Sequence, residues 1–80
     1  MITVRLFASL RERAGVQEIR VEMKGRATLS LLLDRLETRY PFIKETRSNI
    51  LRSVNGSYAG EEVDLHDSDV VALMPPVSGG

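Results

Sequence analysis

The last six residues of the chain, PPVSGG, are the residues whose types and spacing could do chemistry. Each proline fixes the backbone φ at about −65° and removes an N–H donor, so the chain is held extended there. The two glycines have no side chain, so the backbone could enter a slot too narrow for any other residue. We therefore expect residues 75–80 to be a flexible tail after a folded domain. The predicted partner-binding residues are Pro75, Pro76, Val77, Ser78 and Gly79, and the reactive carboxylate is that of Gly80.

A carboxylate is a poor electrophile, but a partner enzyme that uses ATP could convert it into a mixed anhydride. The activated carbonyl could then accept sulfur, giving a thiocarboxylate, or an amine, giving an isopeptide bond. A thiocarboxylate is ionised and nucleophilic for the same reason as a cysteine thiolate. Because the sequence contains no cysteine, any sulfur that this chain carries would have to be on Gly80.

Such a tail must leave a rigid element, and the hydrophobic pattern predicts a single domain over residues 1–74. Apolar residues alternate over residues 2–6 and again over 19–23, which predicts two antiparallel strands. Residues 9–15 would join them as a short helical turn or loop. Thr28 is a candidate N-cap for a helix with a leucine stripe, and Pro41 predicts that this helix ends near Arg39 or Tyr40.

Two further patterns complete the predicted sheet. Asn55-Gly56 between short apolar stretches predicts a two-residue hairpin turn. The nearly continuous apolar run at residues 69–74 is typical of a central strand covered on both faces. The resulting order of elements predicts an α+β domain, in which a mixed sheet of about five strands packs against one main helix.

Composition narrows the classes of function. At 80 residues the chain has room for one small core, which argues against a deep active-site cleft. Eleven basic and eleven acidic residues cancel, which argues against nucleic-acid binding. Residues 1–53 contain all eleven basic residues and six acidic ones, whereas residues 54–80 contain five acidic residues and no basic residue. That acidic segment is either a solvated loop or a collar that steers a basic partner. We find no membrane span and no secretory leader, so we expect a cytoplasmic protein.

Three segments resemble a known family, the small subunit of molybdopterin synthase. They are the opening VRLFASLRERAG, the hairpin VNGSY and the ending LHDSDVVALMPPVSGG. The resemblance extends over essentially the whole chain and implies the ubiquitin-like β-grasp fold. Members often carry an aromatic pair where this chain has Leu73 and Met74. They also commonly have Asp-Gly-Asp where this chain has Asp67-Ser68-Asp69.

The resemblance also implies a mechanism and a set of partners. An adenylating enzyme similar to ubiquitin activators would use ATP to adenylate Gly80, and a sulfurtransferase would supply sulfur for the thiocarboxylate. The tail would then enter an active site on the large subunit of molybdopterin synthase, where sulfur passes to cyclic pyranopterin monophosphate. The family's catalytic side chains belong to the large subunit. We therefore expect a carrier subunit that is not itself an enzyme and binds no cofactor, in a heterotetramer with the large subunit.

Two other functions remain open on the sequence. Sulfur carriers for thiamine thiazole assembly or tRNA thiolation use related folds with Gly-Gly tails. A protein modifier would instead join Gly80 to lysines of other proteins.

The candidate interface residues also have two interpretations each. Phe7 and Met74 belong either to an exposed apolar patch that binds the partner or to the core. Arg11 and Arg13 either hold the tail or acidic groups of the partner, or are simply solvated. His66 is the single histidine and no cysteine accompanies it, so we expect no metal site.

Overall fold

The computed structural model describes residues 1–76 of the chain. These residues form seven strands and three helices, and the order of the elements agrees with the predicted α+β class. The strands are β1 (Ile2–Leu6), β2 (Glu18–Val21), β3 (Ala27–Thr28), β4 (Leu51–Val54), β5 (Ser57–Tyr58), β6 (Asp64–Leu65) and β7 (Val70–Met74). The helices are α1 (Ala8–Ala14), α2 (Leu29–Arg39) and α3 (Phe42–Thr46).

Five strands form one mixed sheet in the order β2-β1-β7-β4-β5. The last strand, β7, lies at its centre, parallel to β1 and antiparallel to β4. The first hairpin, β1 with β2, is antiparallel as predicted. The final residues of the chain therefore follow directly after a strand that is paired with a neighbouring strand on each side.

One face of this sheet packs against α2. Alternate residues of β1 and β7, among them Val4 and Leu73, are fully buried on that face. The leucine stripe of α2 meets them, and burial of each leucine contributes roughly 1.5–3 kcal/mol to stability. The buried leucines of the helix are Leu29, Leu32, Leu33 and Leu36.

Local sequence signals set the boundaries of these elements as predicted. The Thr28 side-chain oxygen accepts a hydrogen bond from the backbone N–H of Leu31 at 3.3 Å, which caps α2. The helix ends at Arg39, just before Pro41. Asn55 and Gly56 have φ values of 50° and 88°, as the turn between β4 and β5 requires.

The structure corrects the sequence interpretation in three places. The segment after Pro41, which had no predicted structure, contains the short helix α3. Residues 27–28 and 64–65 pair as a second, two-stranded sheet, too short to leave an alternating pattern. The prediction that β7 is covered on both faces was wrong, because the helices cover only one side and Val70 is 38% exposed.

None of the helices within residues 1–76 is long and apolar enough to span a membrane.

Candidate docking face and carrier tail

The tail begins directly at the end of the central strand. Met74 is the last residue of β7, Pro75 is half-buried and Pro76 is exposed. The remaining predicted tail residues lie outside the described residues, and they are Val77, Ser78, Gly79 and Gly80.

The face of the sheet that points away from α2, which we call the open face, carries apolar side chains near the tail. The alternation of β7 buries Val71 and Leu73 and places Met74 on the open face. Met74 pairs across the sheet with Leu51 of β4. Two residues before Met74 on the same face, Ala72 pairs with Ser53 of β4, and Ser53 in turn pairs with Tyr58 of β5. Tyr58 is 77% exposed, so this face displays a large aromatic ring to solvent.

Phe7 lies beside the end of β7, because its backbone N–H donates to the carbonyl of Leu73 at 3.2 Å. Its own carbonyl accepts from the N–H of Leu10 in the first turn of α1. Between them, Ala8 has a φ of 51°, a left-handed conformation that a residue with a side chain rarely adopts. Phe7 is 40% exposed, which favours the exposed patch over the core. Met74 is half-buried and lies on the same side of the sheet as Leu51.

Tyr58 and Leu51 were not predicted from the sequence as residues of this face. A two-residue turn at Asn55-Gly56 fixes the register, so that Val54 pairs with Ser57 and Ser53 with Tyr58. Because side chains alternate between the two faces along each strand, this register puts Tyr58 and Val54 on different faces of the sheet, and it could have been predicted from the turn. Leu51 follows from the same alternation, since it is two residues before Ser53.

The candidate arginines differ in their surroundings. Arg11 is exposed on α1, the helix that follows Phe7, and Arg5 is exposed on the open face. Arg13 instead stacks on the ring of Phe42 at 4.6 Å and lies 3.8 Å from a Glu45 carboxylate oxygen. Arg13 therefore ties α1 to α3, whereas Arg11 faces solvent near the tail end of the domain.

The strongest charge cluster lies on the helix side of the molecule. The Arg47 guanidinium approaches carboxylate oxygens of Asp34 and Glu37 at 2.6 Å each and of Glu61 at 2.8 Å. Arg52 reaches the second oxygen of Glu61 at 2.6 Å. The hydrogen bonds from Arg47 and Arg52 lower the pKa of Glu61 to about 2, and the three carboxylates raise the pKa of Arg47. This cluster joins α2, α3 and the loop before β6, so it stabilises the fold.

The acidic segment after residue 60 is also held by internal contacts. Asp67 pairs with the N-terminal ammonium of Met1, and Asp64 lies 3.6 Å from Arg26. Asp69 accepts hydrogen bonds from the His66 backbone N–H and the Asn55 side chain, and these lower its pKa. These internal partners argue against a steering collar, and the exposed side chains of Glu62, Asp64 and Asp67 are typical of a solvated loop.

Two further features bear on the chemistry that the described residues could support. No cluster of three or more potential metal ligands occurs within residues 1–76. A cleft of about 260 Å³ lies at the far end of the sheet from the tail, and its lining includes Met1, Met23 and His66.

Known proteins resemble this chain over nearly its whole length. A family model described as the ThiS family matches residues 4–80. The molybdopterin synthase sulfur carrier subunit of Arabidopsis thaliana is 34% identical over 79 residues, covering 99% of this chain and 82% of that protein. Small archaeal modifier protein 1 of Haloferax volcanii is 35% identical over 86 residues, covering 95% of this chain and 97% of that protein.

Solved structures agree with the fold. The crystal structure of that archaeal modifier superposes with a TM-score of 0.86, covering 99% of this chain and 98% of its own. A chain in the BexX/CysO complex of Amycolatopsis orientalis is 30% identical and superposes with a TM-score of 0.77, and the match covers 100% of both chains. The fold is therefore the ubiquitin-like β-grasp that the resemblance implied.

Proposed function

The chain belongs to the ThiS family, and we propose that it is the sulfur carrier subunit of a molybdopterin synthase. One observation carries this proposal: a Gly-Gly tail leaves the central strand beside an exposed apolar face. The proposal is supported by the sulfur carrier subunit of Arabidopsis thaliana, whose match covers 99% of this chain.

In the proposed reaction the chain supplies the group that is activated, and its partners supply the catalysis. The Gly80 carboxylate attacks the α-phosphate of ATP on the adenylating enzyme, and pyrophosphate leaves. The terminal sulfur of a persulfide on the sulfurtransferase then displaces AMP and forms an acyl disulfide with Gly80. A thiol of the partner cleaves that S–S bond, which leaves a thiocarboxylate on Gly80 and a disulfide on the partner. On the large subunit, that sulfur is transferred to cyclic pyranopterin monophosphate. ATP is a substrate of the activating partner, and we assign no cofactor to this chain.

The open face is the proposed docking surface for the large subunit. Phe7, Met74 and Tyr58 present apolar and aromatic area near the point where the tail begins. Interfaces draw most of their binding energy from a few such anchors. Arg11 is exposed on the adjacent helix, and in this proposal it pairs with an acidic group of the partner. The Amycolatopsis orientalis relative, which occurs in a complex with a second protein, supports the use of this fold for docking.

The test is to co-express the chain with its adenylating enzyme and sulfur donor and to alkylate it at once with a thiol reagent. Mass spectrometry of the C-terminal peptide should place the label on Gly80, and the absence of cysteine removes competing sites. A portion of the chain that is not alkylated, mixed with the large subunit and cyclic pyranopterin monophosphate, should yield molybdopterin, whereas the alkylated portion should not. A matched variant with one alanine added after Gly80 should fold normally and accept no label. If that variant were active, the tail mechanism would be wrong.

A second function is favoured by a specific observation, the 35% identity to a small archaeal modifier protein. As a modifier, the chain would form an isopeptide bond between Gly80 and lysines of other proteins. Trypsin would leave residues 53–80 on each target, because Arg52 is the last basic residue. A Ser78→Arg variant shortens that remnant to Gly-Gly, which standard proteomics detects. Gly-Gly lysines that depend on the activating enzyme would establish the modifier function.

A further inference from the structure

Met74 differs from the other methionines of the chain in its position. It is half-buried on the open face opposite Leu51, and the residue before it, Leu73, accepts a backbone hydrogen bond from Phe7. Met23 is also half-buried, but it packs against the hydrophobic core. Met1 lies at the opposite end of the sheet, where its N-terminus pairs with Asp67. Met74 is thus the methionine of the docking face.

Because of this position, a change at Met74 can affect binding without affecting folding. Leu73, the neighbour of Met74, is fully buried in the core, whereas Met74 points to the other side of β7. A polar group added to Met74 would change the open face and leave the core packing intact. The same change at Met23 would place a polar group against the core and destabilise the domain.

We infer that Met74 is a site of reversible oxidation by peroxides, and that its sulfoxide prevents docking without unfolding the chain. The inference rests on the proposed use of the open face to bind the large subunit. The thioether sulfur attacks one oxygen of the peroxide, the O–O bond breaks and an S–O bond forms. The sulfur is oxidised by two electrons, and the peroxide is reduced to water or an alcohol. The product is polar and chiral where the thioether was apolar and flexible.

The sulfoxide would be buried in the complex opposite apolar side chains, where its oxygen has to give up water. Burial of a polar group without a partner weakens binding by roughly tenfold to a hundredfold. The free chain keeps its fold, so its unfolding midpoint changes little. Reductases that act on both sulfoxide epimers restore the thioether and with it the docking surface.

The experiment uses the full-length chain with Met23→Leu, so that Met74 is its one methionine beyond the N-terminal residue. The chain is treated with dilute hydrogen peroxide, the oxidised residues are identified by peptide mass spectrometry, and binding to the large subunit is measured by calorimetry. We expect the dissociation constant to rise at least tenfold when Met74 is oxidised, and to recover after treatment with both reductases. The control is a second chain that carries both Met23→Leu and Met74→Leu. Its dissociation constant is measured before and after peroxide treatment, and the ratio of the two values should be near one. That ratio controls for oxidation of Met1.

The outcomes separate the two proposals. If the untreated Met23→Leu chain does not bind the large subunit, the proposed function fails and this inference fails with it. If the untreated chain binds and its Met74 sulfoxide binds equally well, the inference alone is wrong. It is also wrong if the sulfoxide melts at a clearly lower temperature, because Met74 would then support the fold and not only the docking face.

Discussion

Replacement of Glu61 by glutamine tests the charge cluster that joins the helices to the loop before β6. The Glu61 carboxylate meets Arg47 at 2.8 Å and Arg52 at 2.6 Å, and its pKa is lowered from 4.5 to about 2. At 1.36 kcal/mol for each pKa unit, the shift sets an upper limit of about 3 kcal/mol on the stability that it contributes. The Glu61 side chain is 35% exposed, so water and salt screen the interaction. We therefore expect Glu61→Gln to lower the free energy of unfolding by about 1–2 kcal/mol at pH 7.

The pH dependence of that difference is the sharper part of the prediction. Because the pKa of Glu61 is lower in the folded chain, the ion pairs stabilise the fold fully above pH 4.5. That stability is lost as the pH falls from 4.5 towards 2, since the carboxylate is then protonated in the folded chain as well. The difference between the native chain and Glu61→Gln should thus be constant from pH 5 to 7 and shrink steadily below pH 4.5. Other carboxylates titrate in both chains and cancel in the difference.

The assay is urea unfolding followed by circular dichroism at several pH values between 2.5 and 7. The matched control is Glu62→Gln, which removes the same charge from an exposed neighbouring side chain and should change stability by less than about 0.5 kcal/mol. Equal effects of the two substitutions at pH 7 would refute a specific role for Glu61. A difference that persists undiminished at pH 2.5 would show that glutamine disturbs packing and that the lost charge is not the cause.

Three further predictions concern single side chains. Ser68→Gly should stabilise the fold by about 1 kcal/mol in urea unfolding, because Ser68 has a φ of 75° that glycine adopts without strain; an unchanged midpoint would contradict this. Thr28→Ala should cost about 1 kcal/mol in thermal unfolding by removing the cap of α2, whereas Thr28→Ser, which keeps the hydroxyl, should cost less. Tyr58→Ala should weaken binding to the large subunit at least tenfold in calorimetry with little change in stability, whereas Leu31→Ala, on the exposed side of α2, should leave binding unchanged. Equal effects of these last two variants would place the docking surface elsewhere.

The sequence predicts most of this fold because its signals are local. The leucine stripe, Thr28 and Pro41 act within a few residues of each other, and they give α2 its correct ends. The Asn55-Gly56 turn gives the hairpin in the same way. The pairing of residues 27–28 with 64–65 joins distant segments through two residues each, so no periodic pattern marks it.

The candidate site was predictable in part for a related reason. The tail composition predicts which end of the chain is reactive, because Pro-Pro and Gly-Gly act through their own backbone geometry. The exposed side of β7 was not predictable from its apolar run, since an apolar strand has the same sequence whether helices cover one face or two. Met74 and Tyr58 lie on the same face of one sheet only through the strand order, which places β4 between β7 and β5.

The alternation of side chains along β7 links the hydrophobic core, the open face and the start of the tail in one short segment. Val71 and Leu73 anchor the strand in the core, and Ala72 and Met74 face the other way into the open face. Pro75 and Pro76 follow Met74 directly, so the point at which the tail begins depends on the register of β7. Because side chains alternate with a period of two, an insertion of one residue in this strand would move Leu73 out of the core and Met74 into it. Folding, docking and delivery of Gly80 would then fail together. An insertion after Pro76 would spare the first two and lengthen only the reach of the tail.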